Sequence, residues 1–144
     1  MSGIRISGLV RKRLKQARVA RLATVNAQGQ PHVVPICFVF AGSRFYTAID
    51  RKPKRVGAKR LARVRNIEAT GRAALVIDEY SEDWGRLWFV LVRGRAQLVR
   101  SVTERARAVW LLRQKYRQYA EGMLSEEPVV IRISPQSVTA WGRV

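Results

Sequence analysis

The chain has 144 residues, 47% of them apolar, which suffices for one hydrophobic core and argues for a single domain over 1–144. Its 28 Lys and Arg against 10 Asp and Glu give a formal charge of +18, a field that gathers phosphate-like anions such as nucleic acid, acidic membrane faces or phosphorylated small molecules. One cysteine excludes an intramolecular disulfide, one cysteine with one histidine cannot make a four-ligand structural zinc site, and nowhere do about 18 apolar residues run together as a membrane span requires.

The opening "MSGIRISGLVRKRLKQARVARL" has no uninterrupted apolar stretch of the signal-peptide kind, so a reducing cytoplasm is the expected compartment. Within it, Leu9, Val10, Leu14 and Ala17 fall near helical spacing, with cations between them, and predict an amphipathic helix in the segment 1–17. The period then changes to two. "RVARLATVNAQGQPHVVPICFVF" reads as a strand over Val19–Val25, a turn through Asn26–Gln30, and a second strand to Phe40. After "AGS", "RFYTAI" is a third strand of an antiparallel meander.

Pro53 blocks further strand, and Ala58, Leu61, Ala62, Val64 and Ile67 predict a helix from about Val56 to Ala69. "AALVIDEY" and "LWFVLVRGRAQLV" are β-rich, separated by the acidic "SEDWGR", with Gly94 marking a bulge or bend. Ser101 and Glu104 have capping-box spacing, and Val109, Leu112, Tyr116 and Tyr119 share one side of a helix over 101–122. Two short strands around Pro135 close the chain over 128–144. The sum is a mainly β, α+β fold: a small antiparallel β-barrel of six or seven strands with three helices, its core in 18–100.

Side-chain chemistry is sparse. His32 reads as a packed or strand-edge imidazole, Cys37 as a small core hydrophobe, and Trp84 and Trp88 as core or subunit-interface residues. Asp78, Glu79, Glu82 and Asp83 read as a strand end and a solvated loop able to pair with the basic helix. Neither a Walker loop nor a GxGxxG motif is present. An enzyme built from these residues would need its reactive group from a cofactor.

The stretch "AIDRKPKRVGAKRLARVRN" is where an anion is expected. Three readings stand: a solvated helix face, with Arg60, Arg63 and Arg65 projecting into water; a nucleic-acid surface; or a single phosphate pocket. The third follows from position. Thr47, Lys52, Lys54 and Arg55 lie where a strand gives way to a loop and a helix N-terminus, so a phosphate could receive a hydroxyl, loop N–H groups and cations together.

These segments, "GQPHVVP", "RFYTAIDRKPKR" and "RLARVRNIEATGRAALVIDEYSEDWGRLWFVLVRGRAQLV", resemble the pyridoxamine 5'-phosphate oxidase-like split-barrel superfamily, in particular its actinobacterial branch of coenzyme F420-dependent enzymes. The likeness covers residues 18–100 and extends more loosely to Trp141. It implies a split-barrel homodimer with cofactor sites at the subunit interface. It further implies a ring against the strand Val34–Phe38, with Pro35, Ile36 and Cys37 as contacts, and a phosphate held by Thr47, Lys52, Lys54 and Arg55 in the loop 47–60. Lys59 and Arg60 would meet a polyglutamate tail, Leu75–Ile77 would line the ring, and Trp141 would reach the partner's site. Flavin mononucleotide (FMN) is the alternative cofactor; the apolar "HVVPICF" replaces the arginine-containing strand of FMN-binding oxidases, which weakens an assignment as a pyridoxine phosphate oxidase. A carrier that binds F420 without turnover, and a basic nucleic-acid-binding domain, are the non-enzymatic alternatives.

Overall fold

The computed structural model describes residues 4–51, 57 and 61–144. Helix α1 (Gly8–Gln16) starts at Ser7, whose hydroxyl accepts from the Val10 amide, and buries Val10 and Leu14. Seven strands follow: β1 (Ala20–Val25), β2 (Pro31–Ile36), β3 (Val39–Ala41), β4 (Arg44–Ala48), β5 (Arg72–Glu79), β6 (Trp88–Leu98) and β7 (Val130–Gly142). All pair antiparallel in one sheet of order β2-β1-β5-β6-β7-β4-β3.

That order dictates the shape. β2 and β3 occupy opposite ends of the sheet, yet only Cys37 and Phe38 separate them in the chain. The sheet therefore curls until its two ends are two residues apart, giving the half-barrel of a split-barrel fold. The single strand expected over Pro31–Phe40 is accordingly two strands, because the chain leaves one edge and joins the other at Cys37–Phe38.

Inside the curl, Leu22, Phe38, Phe45, Leu75, Ile77, Val90, Val92, Ile131 and Ile133 are fully buried. Each contributes about 1.5–3 kcal/mol by leaving water. Helix α3 (Val102–Lys115) covers the other face of β3, β4 and β7, packing Ala108, Val109 and Leu112 with Val39, Tyr46, Ala48 and Val130. With both faces covered, β4 is buried from Phe45 to Ala48, which explains why it lacks the alternation of a half-covered strand.

Three expectations are corrected. β7 is one strand of 13 residues: Pro135 does not divide it, because it lies at the register shift opposite Gly94, where the ladder is already interrupted. Gly94 serves this close approach, since a Cβ there would stand 2.3 Å from the Ser134 carbonyl oxygen. The helix expected over 101–122 stops at Lys115. Tyr116 turns to extended geometry (φ −117°, ψ 118°), and a separate turn over Tyr119–Met123 follows. Helix α2 (Ala62–Thr70) ends on Gly71, whose φ of 66° gives the left-handed cap; the expected start at Val56 lies outside the described residues.

Candidate functional site

β4 delivers Thr47 to the inner end of the candidate phosphate site. Its side chain is buried, and its hydroxyl donates to the Cys37 carbonyl at 2.7 Å, joining β4 to the gap between β2 and β3. Two residues past the strand, the Asp50 carboxylate accepts from the Tyr119 hydroxyl at 2.7 Å. The Arg51 amide donates to the Met123 carbonyl at 2.8 Å, so the turn after α3 holds the point from which the cation-rich segment departs.

The segment returns at α2, and there Arg63 is half-buried with its Nε enclosed and lacking a hydrogen-bond partner. Burial pushes the Arg63 guanidinium down from its ordinary value, while Asp50 and Tyr119 pull it back up, so the three groups feel one another. Burial, followed by the bond to Asp50, raises Tyr119 far above an ordinary phenol and keeps it a donor. A half-buried arginine with an enclosed, unused Nε–H where a basic segment ends fits an anionic group such as a phosphate.

A second set of bonds fixes the β2–β3 gap. The Tyr116 hydroxyl accepts from the Phe38 amide at 3.0 Å and lies 2.8 Å from the Arg18 carbonyl and 3.0 Å from the Phe38 carbonyl. Lys115 Nζ donates to the Phe38 carbonyl at 2.9 Å and sits 4.1 Å from the centre of the Phe38 ring. Phe38, paired with no strand, thus has its amide and carbonyl satisfied by α3's C-terminal side chains. Burial, then the nearby Arg18, brings the Lys115 amine down to about 8, and burial lifts the Tyr116 phenol to about 12.

Of the residues expected at the site, Ile36, Cys37 and Thr47 come together at this gap; Ile36 is buried, Cys37 half-buried and Pro35 exposed on β2. Lys52, Lys54, Arg55, Lys59 and Arg60 lie outside the described residues. Trp141 is not brought to Thr47 within one chain. Thr47 pairs with Ile131, and Trp141 stands ten residues further along β7, roughly 30 Å away. It lies on the sheet's outer face, stacked on Phe89 with ring centres 5.7 Å apart. Leu75 and Ile77 point into the core, leaving Val76 alone of that trio on the outer face.

Arg63 does not project into water, as one reading of the basic stretch had it, whereas Arg65 does. Asp78 pairs with Arg21 of β1 at 2.9 Å, not with the basic helix. Trp88 is buried and Trp84 is 71% exposed, which separates two residues the sequence had grouped. Sequence reasoning missed Lys115 and the hydroxyls of Tyr116 and Tyr119: apolar spacing put both tyrosines on a core face, and the only available signal was that a buried phenol needs a partner.

Known proteins support the same architecture. The chain matches a solved conserved hypothetical protein of Mycobacterium tuberculosis at 16% identity and TM-score 0.77, covering 99% of this chain and 88% of that one. HutZ, the heme storage protein of Vibrio cholerae, matches at 15% identity and TM-score 0.72, covering 96% and 94%. A FAD-binding protein of Mesorhizobium loti matches at 25% identity and TM-score 0.68, covering 94% of each chain. No curated protein matches the chain. The family model described as pyridoxamine 5'-phosphate oxidase matches residues 6–142, nearly the whole sequence, and the chain belongs to that family.

Proposed function

We propose that the chain is an oxidoreductase that binds coenzyme F420, with the cofactor phosphate at the exit of β4 and the ring beside the β2–β3 gap. The observation that carries this reading is the half-buried Arg63, its Nε enclosed and unused, at the return of a segment holding Lys52, Lys54, Arg55, Lys59 and Arg60. Thr47, at the end of β4 from which that segment departs, is fixed to Cys37 by its hydroxyl. The family match gives this arrangement its redox context.

A bound deazaflavin would supply hydride chemistry through its ring carbon, here toward a small electron-poor substrate. The chain's residues would do the positioning. Arg63 and the loop cations would neutralise the phosphate. Tyr116 and Lys115 would hold Phe38, and through it the Pro35–Cys37 segment, against displacement. A second copy of the chain would close the site, docking on the Trp141 end of the outer face, where Val76, Leu91, Phe89 and Trp141 are presented, and this would bring the partner's tryptophan into reach. The location expected for such an enzyme is the cytoplasm. No helix among the described residues is long and apolar enough to cross a membrane.

FMN is the second reading, favoured by the likeness to a FAD-binding protein. Titrating the purified chain with F420 and with FMN, followed by fluorescence quenching, separates the two. Micromolar binding of F420, tighter than that of FMN, is expected. A yellow protein that prefers FMN would transfer the proposal to the flavin, and binding of neither would remove the enzymatic reading.

A further inference from the structure

We propose that the outer face of the sheet carries a second anion site, formed by Arg72, Arg93 and Arg95, that takes the di- or triphosphate group of a nucleotide. The strand register places these three together. Arg72 of β5 pairs directly with Arg95 of β6, and the next outward-facing pair is Ala74 with Arg93. All three arginines are exposed on the same face. Like charges directly opposed across a ladder destabilise a sheet, so this pair is a cost that the fold itself does not explain.

Elsewhere on this face the sheet neutralises its cations. Arg21, on β1, has Asp78 at 2.9 Å. Among the described residues, no acid stands within ion-pair distance of Arg72, Arg93 or Arg95. The three instead border an open groove of about 580 Å³, lined also by Ala23, Ala74, Gly94 and Gln136. The Arg95 guanidinium lies against Gly71, where a Cβ would approach it to 3.0 Å, and the residue also borders a second groove with Glu68, Glu104 and Arg132.

The chemistry narrows the ligand. Guanidinium forks match phosphate oxygens in pairs, and three positive charges suit a di- or triphosphate better than a single ester. The short Ala23 and Ala74 side chains beside the arginines leave room for a flat ring. Inorganic pyrophosphate shares the phosphate chemistry without the ring. The site involves none of residues 52–60 and stands or falls independently of F420 binding.

Calorimetric titration of the full chain with ADP and with inorganic pyrophosphate, at physiological ionic strength, tests it. The wild type is expected to bind at least one of them, tighter binding of ADP assigning the space beside Ala23 and Ala74 as well as the arginines. The double variant Arg72→Gln/Arg95→Gln should bind roughly tenfold more weakly or worse. Without ligand, the same variant should melt at or above the wild-type temperature, because the opposed pair has been relieved. Circular dichroism establishes that it is folded, and the single variant Arg93→Gln, which leaves the pair in place, gives an independent loss of affinity. Binding of neither probe, unchanged binding in the variants, or a lower melting temperature of the ligand-free double variant would overturn the proposal. So would loss of pyrophosphate binding confined to Lys52→Gln/Lys54→Gln/Arg55→Gln, which would move the phosphate to the β4 exit.

Discussion

Replacing Tyr116 by Phe removes one oxygen and leaves the ring's packing intact. That oxygen is the acceptor for the Phe38 amide at 3.0 Å and a donor to the Arg18 or Phe38 carbonyl. Without it the Phe38 N–H is left buried and unpaired, because Phe38 lies between strands and has no ladder partner. An orphaned buried donor costs about 1–3 kcal/mol and the lost O–H bond about 1 kcal/mol more, so the variant should be destabilised by roughly 2–4 kcal/mol. For a chain of this size that is a fall in Tm of roughly 6–12 °C. Thermal melts read by circular dichroism, with urea titration to give the free energy, measure it. A loss below about 0.5 kcal/mol would show that water or a relaxed backbone satisfies Phe38, and that Tyr116 does not pin the gap beside the candidate site.

Lys115 gives a pH dependence of defined sign. Its amine is held down to about 8 in the fold, against 10.5 for an ordinary lysine. Below pH 8 both folded and unfolded chains carry the proton and the burial cost is fully present. As pH rises from 8 toward 10.5 the folded chain releases its proton first, so stability should rise, by roughly 1–2 kcal/mol once solvent screening is allowed for. Lys115→Met should abolish the rise in urea titrations across this window. Tyr116, raised to about 12, acts in the opposite direction, and only above about pH 10. Gly94→Ala should be destabilised by about 1–3 kcal/mol or fail to accumulate as folded protein, because its Cβ meets the Ser134 carbonyl in the backbone of β7; melting at the wild-type temperature would contradict the observed bulge.

Periodicity made most of the fold legible. The alternation in "ARLATV" and in "WFVLVRGRAQL" is the alternation of inward and outward faces in β1 and β6, and Gly94 announced its bulge. What local pattern could not show was where strands end for reasons of topology. The apolar run through Ile36, Cys37 and Phe38 looks continuous in sequence, and only the sheet order explains its interruption. Pro135 misled in the opposite direction, because a proline that should break a strand is harmless where a facing glycine has already shifted the register.

The candidate site was legible as charge and not as geometry. Position near a strand exit singled out Thr47, while the partner of its hydroxyl, the Cys37 carbonyl, is ten residues away and visible only in the fold. Arg63 was one cation among eight in the basic stretch until its burial distinguished it. Tyr119 and Asp50 are 69 residues apart, and no spacing rule connects them.

The central claim is that the cations at the β4 exit close around a phosphoryl group. Comparing the dissociation constants of FMN and riboflavin, which share a ring and differ by that phosphate, tests it without requiring turnover or knowledge of the substrate. Binding of FMN at least roughly tenfold tighter than riboflavin, with the difference shrinking as salt rises, is the expected result. Equal affinity for the two would mean that no phosphate is held there, and would contradict the account.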